Sequence, residues 1–156
     1  MIPEAVKSFF EARIEMSGRY YANDLRAMDH EDLASNRSSC SRTPYDFTYE
    51  LVVTNRRFAQ RLRGEPTDPI SDGWIVAPPH FRDKEAAIKS FETGIEELLD
   101  AWRNLPVEDL LKPIQFNTHQ GTALDLGWFC AFHTGYHDAQ LNYIQSMNGD
   151  TEVHWD

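Results

Sequence analysis

The stretch Leu126-Gly-Trp-Phe129-Cys130-Ala-Phe-His133-Thr-Gly-Tyr-His137-Asp-Ala-Gln140-Leu141 decides the fold. Leu126, Phe129, Cys130, Leu141 and, one turn further, Ile144 recur at the spacing of one helical face, and His133, His137 and Gln140 fall on the same stripe. Residues four apart on a helix lie about 40° apart around the axis and one turn along it, so both imidazoles reach one point. A stripe of this kind faces a core, and an imidazole buried there needs a partner. A divalent metal ion is one solution and a buried carboxylate is the other.

Working outward, Thr122-Ala-Leu-Asp125 supplies the cap that starts this helix and Asn148-Gly149 ends it. The cleanest periodicity precedes it: Ile88, Phe91, Ile95, Leu98, Leu99 and Trp102 predict a helix that Asp83 can cap and that ends before Pro106. Further upstream, Thr43-Pro44-Tyr45-Asp46 reads as a capping box with proline in the first turn. It opens a helix whose stripe is Phe47, Leu51, Phe58 and Leu62, closed by Gly64 and Pro66. A first helix runs from Pro3 to about Ala27, with Val6, Phe9, Phe10, Ile14, Tyr21 and Leu25 at helical spacing.

The connections are less regular. Met28 to Ser41 is polar and reads as a loop. Glu65 to Arg82 carries four prolines and a glycine, which predicts a long irregular crossing. Leu105 to Gly121 is also long, with Ile114-Gln115-Phe116 as a fragment of strand. Four amphipathic helices make an all-α four-helix bundle, one domain over residues 1–156, with a crossover in place of simple up-and-down order.

Charge and composition exclude several functions. Fifteen basic against twenty-five acidic side chains give a net −10, which repels a phosphate backbone, so nucleic acid is not an expected partner. No apolar run approaches the roughly 18 residues of a membrane span and the N-terminus carries no leader pattern, so the expected setting is the cytoplasm. Cys40 and Cys130 show no disulfide framework. No serine or cysteine sits in a nucleophile motif and no glycine-rich phosphate loop is present, so any catalysis must run through a metal.

A metal centre on His133 and His137 needs a third ligand from another inward face. Glu50 lies between Phe47 and Thr54 on the apolar stripe of the second helix and is the acid least at home in its context. Two imidazoles, one carboxylate and open positions suit a reactive divalent ion. Asp46, one turn earlier, has a capping task of its own. Spacing alone also permits a metal-free knot in which Glu50 and one histidine form a buried ion pair.

Other residues are weaker candidates. His30, His119 and His154 read as solvated surface, while His80 sits in the crossover and is not expected to line the site. Trp74 and Trp128 can wall a pocket for an apolar substrate, although core packing is the commoner fate of tryptophan. Cys130, one turn before His133, is expected to be a core hydrophobe rather than a ligand.

The order of helices, the segment Arg42-Thr-Pro-Tyr-Asp-Phe-Thr-Tyr-Glu50-Leu-Val-Val-Thr-Asn55 and the His133-x-x-x-His137-x-x-Gln140 motif resemble the DinB-like (DinB/YfiT) superfamily of metal-dependent enzymes. The resemblance implies a metal site built from one histidine of the second helix and two of the fourth. His133 and His137 match, and Glu50 stands where the first histidine should be. A carboxylate there cancels part of the ion's charge and makes manganese or iron(II) more competitive with zinc or nickel. The resemblance further implies hydrolase or thiol-transferase chemistry on a small molecule, with a low-molecular-weight thiol as one reactant. A non-catalytic, metal-free dimeric bundle serving as a binding or scaffold module is the alternative. A homodimer is expected in either case, because relatives pair and because Phe10 and Tyr20 lie off the main stripes.

Overall fold

A computed structural model describes residues 4–67, 73–116 and 120–156. Five helices appear among them: α1 (Glu4–Ala27), α2 (His30–Ala34), α3 (Pro44–Leu62), α4 (Lys84–Asn104) and α5 (Ala123–Met147). Four are the expected bundle helices, and both capping boxes are present, at Thr43 with Asp46 and at Thr122 with Asp125. The expected start of the first helix at Pro3 lies outside the described residues.

Two connections differ from the sequence reading. The segment expected to be a loop contains α2, a short turn that Asp29 caps by accepting from the Asp32 amide at 2.9 Å. Its purpose in packing is Leu33, which is fully buried. The expected strand fragment is real but one residue earlier, Pro113–Gln115 (β1), and it needs a partner that composition did not reveal: Gln120–Thr122 (β2), paired antiparallel with Ile114 opposite Gly121.

Helix directions follow from which ends meet. Trp102 Nε1 donates to the Lys7 carbonyl at 3.1 Å and Lys84 Nζ to the Arg26 carbonyl at 2.7 Å, so α1 and α4 are antiparallel. Asp46 meets Arg82 while Arg63 meets Asp100, so α3 and α4 are parallel. Glu50 faces His133 and His137 while Phe58 faces Phe129, so α3 and α5 are antiparallel. Parallel α3 and α4 require the chain between them to travel the length of the bundle, which is the crossover that the proline-rich segment predicts.

Asp46 secures the return of that crossover. Beyond its capping role it accepts from the Ala77 amide and from Arg82 Nη2, both at 2.8 Å. Burial opposes its charge, but these hydrogen bonds, those from Thr43 and the nearby Arg82 guanidinium hold the carboxyl below the usual carboxylate range.

The core is continuous. Ile88, Phe91, Ile95, Leu98, Leu99 and Trp102 of α4 are all buried, as are Phe47, Leu51, Phe58 and Leu62 of α3. Trp102 crosses to α5, where a Cβ at Gly127 would lie 2.4 Å from its ring. Any side chain at 127 would force the indole out of a packed interior.

Candidate metal centre

Helical periodicity brings the three expected residues together. Glu50, in the second turn of α3, points across to the middle of α5. Its Oε1 lies 3.3 Å from His133 Nε2 and 3.7 Å from His137 Nε2, and the two imidazole nitrogens are 3.1 Å apart. Donors bonded to one ion at about 2.0–2.2 Å are separated by about 2.8–3.6 Å, depending on geometry. Two of the three separations fall in that range and the 3.7 Å one lies just beyond it, so the trio is close to the spacing of a ligand face, and it is the cluster of metal-type donors found among the described residues.

Each donor is held in place by its surroundings. His137 is fully buried, its ring stacked on Phe47 at 5.5 Å, and its Nδ1 contacts Gln140 Oε1 at 2.7 Å. With the amide oxygen accepting, Nδ1 carries the proton and Nε2 offers its lone pair to the centre. His133 stacks on Phe129 at 5.2 Å, and its Nδ1 is buried without a hydrogen-bond partner. The second oxygen of Glu50 pairs with Arg42 Nη1. That guanidinium is sandwiched between Phe47, 5.2 Å from the ring centroid, and Trp74, at 4.4 Å.

The electrostatics follow. Burial pushes the Glu50 carboxyl up, yet the hydrogen bonds from His133 and Arg42, with the Arg42 charge, hold it well below the usual carboxylate range. Glu50 is therefore a carboxylate at neutral pH, and Arg42 occupies one of its two oxygens. The free oxygen faces the imidazoles. With His137 Nε2 unprotonated, only one N–H, that of His133, is left to serve both Glu50 and His137 if no ion is present. The donor set therefore fits a divalent cation, with lone pairs in excess of protons.

A cavity of about 700 Å³ opens beside the trio, with Glu50 and His133 in its wall. Phe58, Phe116, Phe129, Trp74 and Trp128 supply its apolar surface, and Thr54, Arg61, Gln120 and Asp125 add polar groups to its wall. Trp74 and Trp128 thus wall the pocket instead of packing in the core; they are 73% and 53% exposed. Cys130 is where it was expected, in the core, with burial pushing its thiol well up from the ordinary value. His80 is exposed and lines no part of this cavity. His30 is exposed with Nδ1 2.8 Å from the Tyr45 hydroxyl, and His154 contacts Asp150 at 3.0 Å. His119 lies outside the described residues.

Sequence reasoning missed Arg42 as a partner of Glu50. Its position just ahead of the Thr43 cap carries no periodic signal; only the eight-residue step to Glu50, just over two helical turns, hinted at a common face.

A comparison with family profiles matches residues 18–141, described as the DinB superfamily, and the matched span contains Glu50, His133 and His137. No curated protein matches the chain.

Proposed function

The chain belongs to the DinB superfamily, and from that premise we propose that it is a metal-dependent enzyme in which Glu50, His133 and His137 hold one divalent ion beside the aromatic cavity. The observation that carries the reading is the convergence of three donor atoms, 3.1 to 3.7 Å apart, with Gln140 turning the lone pair of His137 inward. When bound, such an ion supplies Lewis acidity that lowers the pKa of water or of a low-molecular-weight thiol. The chain's own residues do the rest. Arg42 fixes Glu50 in one orientation, Gln140 fixes His137, and the Trp74, Trp128 and Phe129 walls exclude water around an apolar substrate. Thiol transfer to an apolar electrophile uses these features most fully, and hydrolysis uses them next best.

One oxygen and two nitrogens make manganese, iron(II), zinc and nickel all competent ions, with the carboxylate favouring the harder ones. The test is metal content of freshly purified protein, followed by turnover of an aromatic electrophile with a small thiol before and after chelation. Loss of turnover on chelation with recovery on metal addition supports the reading. A metal-free protein with no measurable affinity for any of the four ions leaves the metal-free knot, and a non-catalytic module, in its place.

Pairing of two copies belongs to the same proposal on altered grounds. Phe10 packs edge-on to Trp102 and Tyr20 stacks on Trp155, so neither needs a second chain. Exposed Tyr136, Tyr143 and Met147 on the outer face of α5 take over that argument. Sedimentation at about twice 18.0 kDa supports pairing, and a species near 18.0 kDa at all micromolar concentrations opposes it. No helix among the described residues is long and apolar enough to cross a membrane.

A further inference from the structure

Four side chains of the cavity beside the donor trio form one row on α3: Glu50, Thr54, Phe58 and Arg61, at steps of four, four and three. His133, Phe129 and Asp125 make a matching row on α5, which runs the other way. The cavity is therefore a trough, with the donor trio at one end and Arg61 and Asp125 toward the other. Eight residues of helix separate Glu50 from Phe58, a rise of about 12 Å. The Arg61 guanidinium lies over the Phe58 ring, 5.8 Å from its centroid. Long helical side chains lean toward the N-terminus of their helix, which keeps this charge above the trough.

Between the two ends the wall is aromatic. Phe58 meets Phe129 edge-on at 5.6 Å and Phe116 at 6.3 Å. Arg61 is the one lysine or arginine among the described residues of this wall, and it is half-buried. Burial, and then the charge of Arg57, weigh against its cation, an opposition that an anion relieves. The nearest acid has a task of its own: Asp125 Oδ2 accepts from the Thr122 amide at 2.8 Å and from its hydroxyl at 2.7 Å. A guanidinium carries five N–H groups in a planar fork, so an arriving carboxylate takes two of them alongside whatever the others hold. A phosphate dianion suits the trough less well, because Glu50 and Asp125 bring negative charge into the same wall.

We propose that the substrate is an elongated apolar carboxylic acid, its anion on Arg61, its body along the aromatic walls and its reacting end beside Glu50 and His133. This rests on the metal-dependent reading above and adds to it the class of substrate. Arg61 sets specificity from about 12 Å away and takes no part in holding the ion.

Titration calorimetry of the chelator-treated full chain tests this with biphenyl-4-carboxylate and its neutral counterpart biphenyl-4-carboxamide. Wild type is expected to bind one acid per chain, about tenfold more tightly than the amide, because a charge-assisted fork replaces a neutral contact. Arg61→Gln is expected to erase that difference while the amide binds as before. Arg61→Met, which keeps the apolar stem, makes the same comparison if Arg61→Gln does not fold by circular dichroism. Zinc and manganese titrated separately are expected to bind wild type and the Arg61 variant equally. Equal binding of acid and amide overturns the proposal and leaves the metal reading standing. So does an acid preference that survives loss of Arg61, since the anion then sits at the imidazoles or Arg42. Wild type that binds neither ion overturns the reading on which the proposal rests, and with it the substrate.

Discussion

His137 and Asp138 are neighbours in α5, yet the carboxylates they face are in opposite circumstances. Toward α3, Glu50 meets Arg42 and two imidazoles, and its carboxyl is held well below the usual range despite its burial. Toward α1, burial and then the neighbouring Asp24 carboxyl push Asp138 from the ordinary 3.8 up to about 8. One helix therefore presents a lone-pair-rich cluster with a compensating guanidinium on one face and an uncompensated acid pair on the other. Burial alone does not set the fate of a charge in this bundle; the element packed opposite does.

The two faces should respond to pH in opposite senses. A raised acid contributes stability that is fully present below its unfolded value and is lost as pH rises through the folded one. The Asp138 side therefore weakens the protein from about pH 4 upward, with the loss complete just above pH 8. Asp138→Asn removes this term, and its melting temperature relative to wild type should climb across that window, reaching on the order of a few kcal/mol of extra stability by pH 9. A difference that does not change with pH would show that the two acids are not coupled in the fold. Glu50 runs the other way: its contribution is present above the ordinary 4.5 and is lost as pH falls toward its lowered value.

The next effect concerns Arg42. Removing the group that occupies the second oxygen of Glu50 leaves the carboxylate free to turn, so Arg42→Met should reduce metal affinity by up to about a hundredfold, the upper end for a group that orients a ligand. Manganese electron paramagnetic resonance should broaden in the variant as the carboxylate samples more than one binding mode. Unchanged affinity and line shape would reduce Arg42 to a surface contact for Trp74. Gln140→Leu should act in the same direction but less, by about tenfold, because it removes only the acceptor that sets the His137 tautomer. Isothermal titration with zinc at neutral pH measures it.

The half of this comparison that involves α3 was legible in the sequence and the other half was not. His133, His137 and Glu50 interrupt apolar stripes at helical spacing, so periodicity alone points them inward, and the capping boxes at Thr43 and Thr122 fix where each helix starts. Asp24 and Asp138 give no such signal. Asp24 lies between Asn23 and Leu25 and Asp138 between His137 and Ala139, and what buries them is the register of α1 against α5, a tertiary fact that these neighbours do not announce. The same holds for β2, where Gln120-Gly121-Thr122 becomes a strand through pairing with β1 instead of through propensity. For Trp74 and Trp128 the sequence leaves pocket wall and core both open, with core the commoner fate; residues 73–75 of the crossover with Phe116, Gln120 and Gly121 line a cavity there, and cavity walls are made by loops whose path composition does not determine.

The central claim is that Glu50 replaces an imidazole as the third metal donor. Competition binding of zinc, nickel and manganese to wild type, Glu50→Ala and Glu50→His tests it most directly. The account predicts tight binding by wild type, with manganese more competitive than at a three-histidine site. It predicts loss on the order of a hundredfold or more in Glu50→Ala, and recovery in Glu50→His with preference moved toward zinc and nickel. Equal affinity of all three proteins for each ion would contradict it.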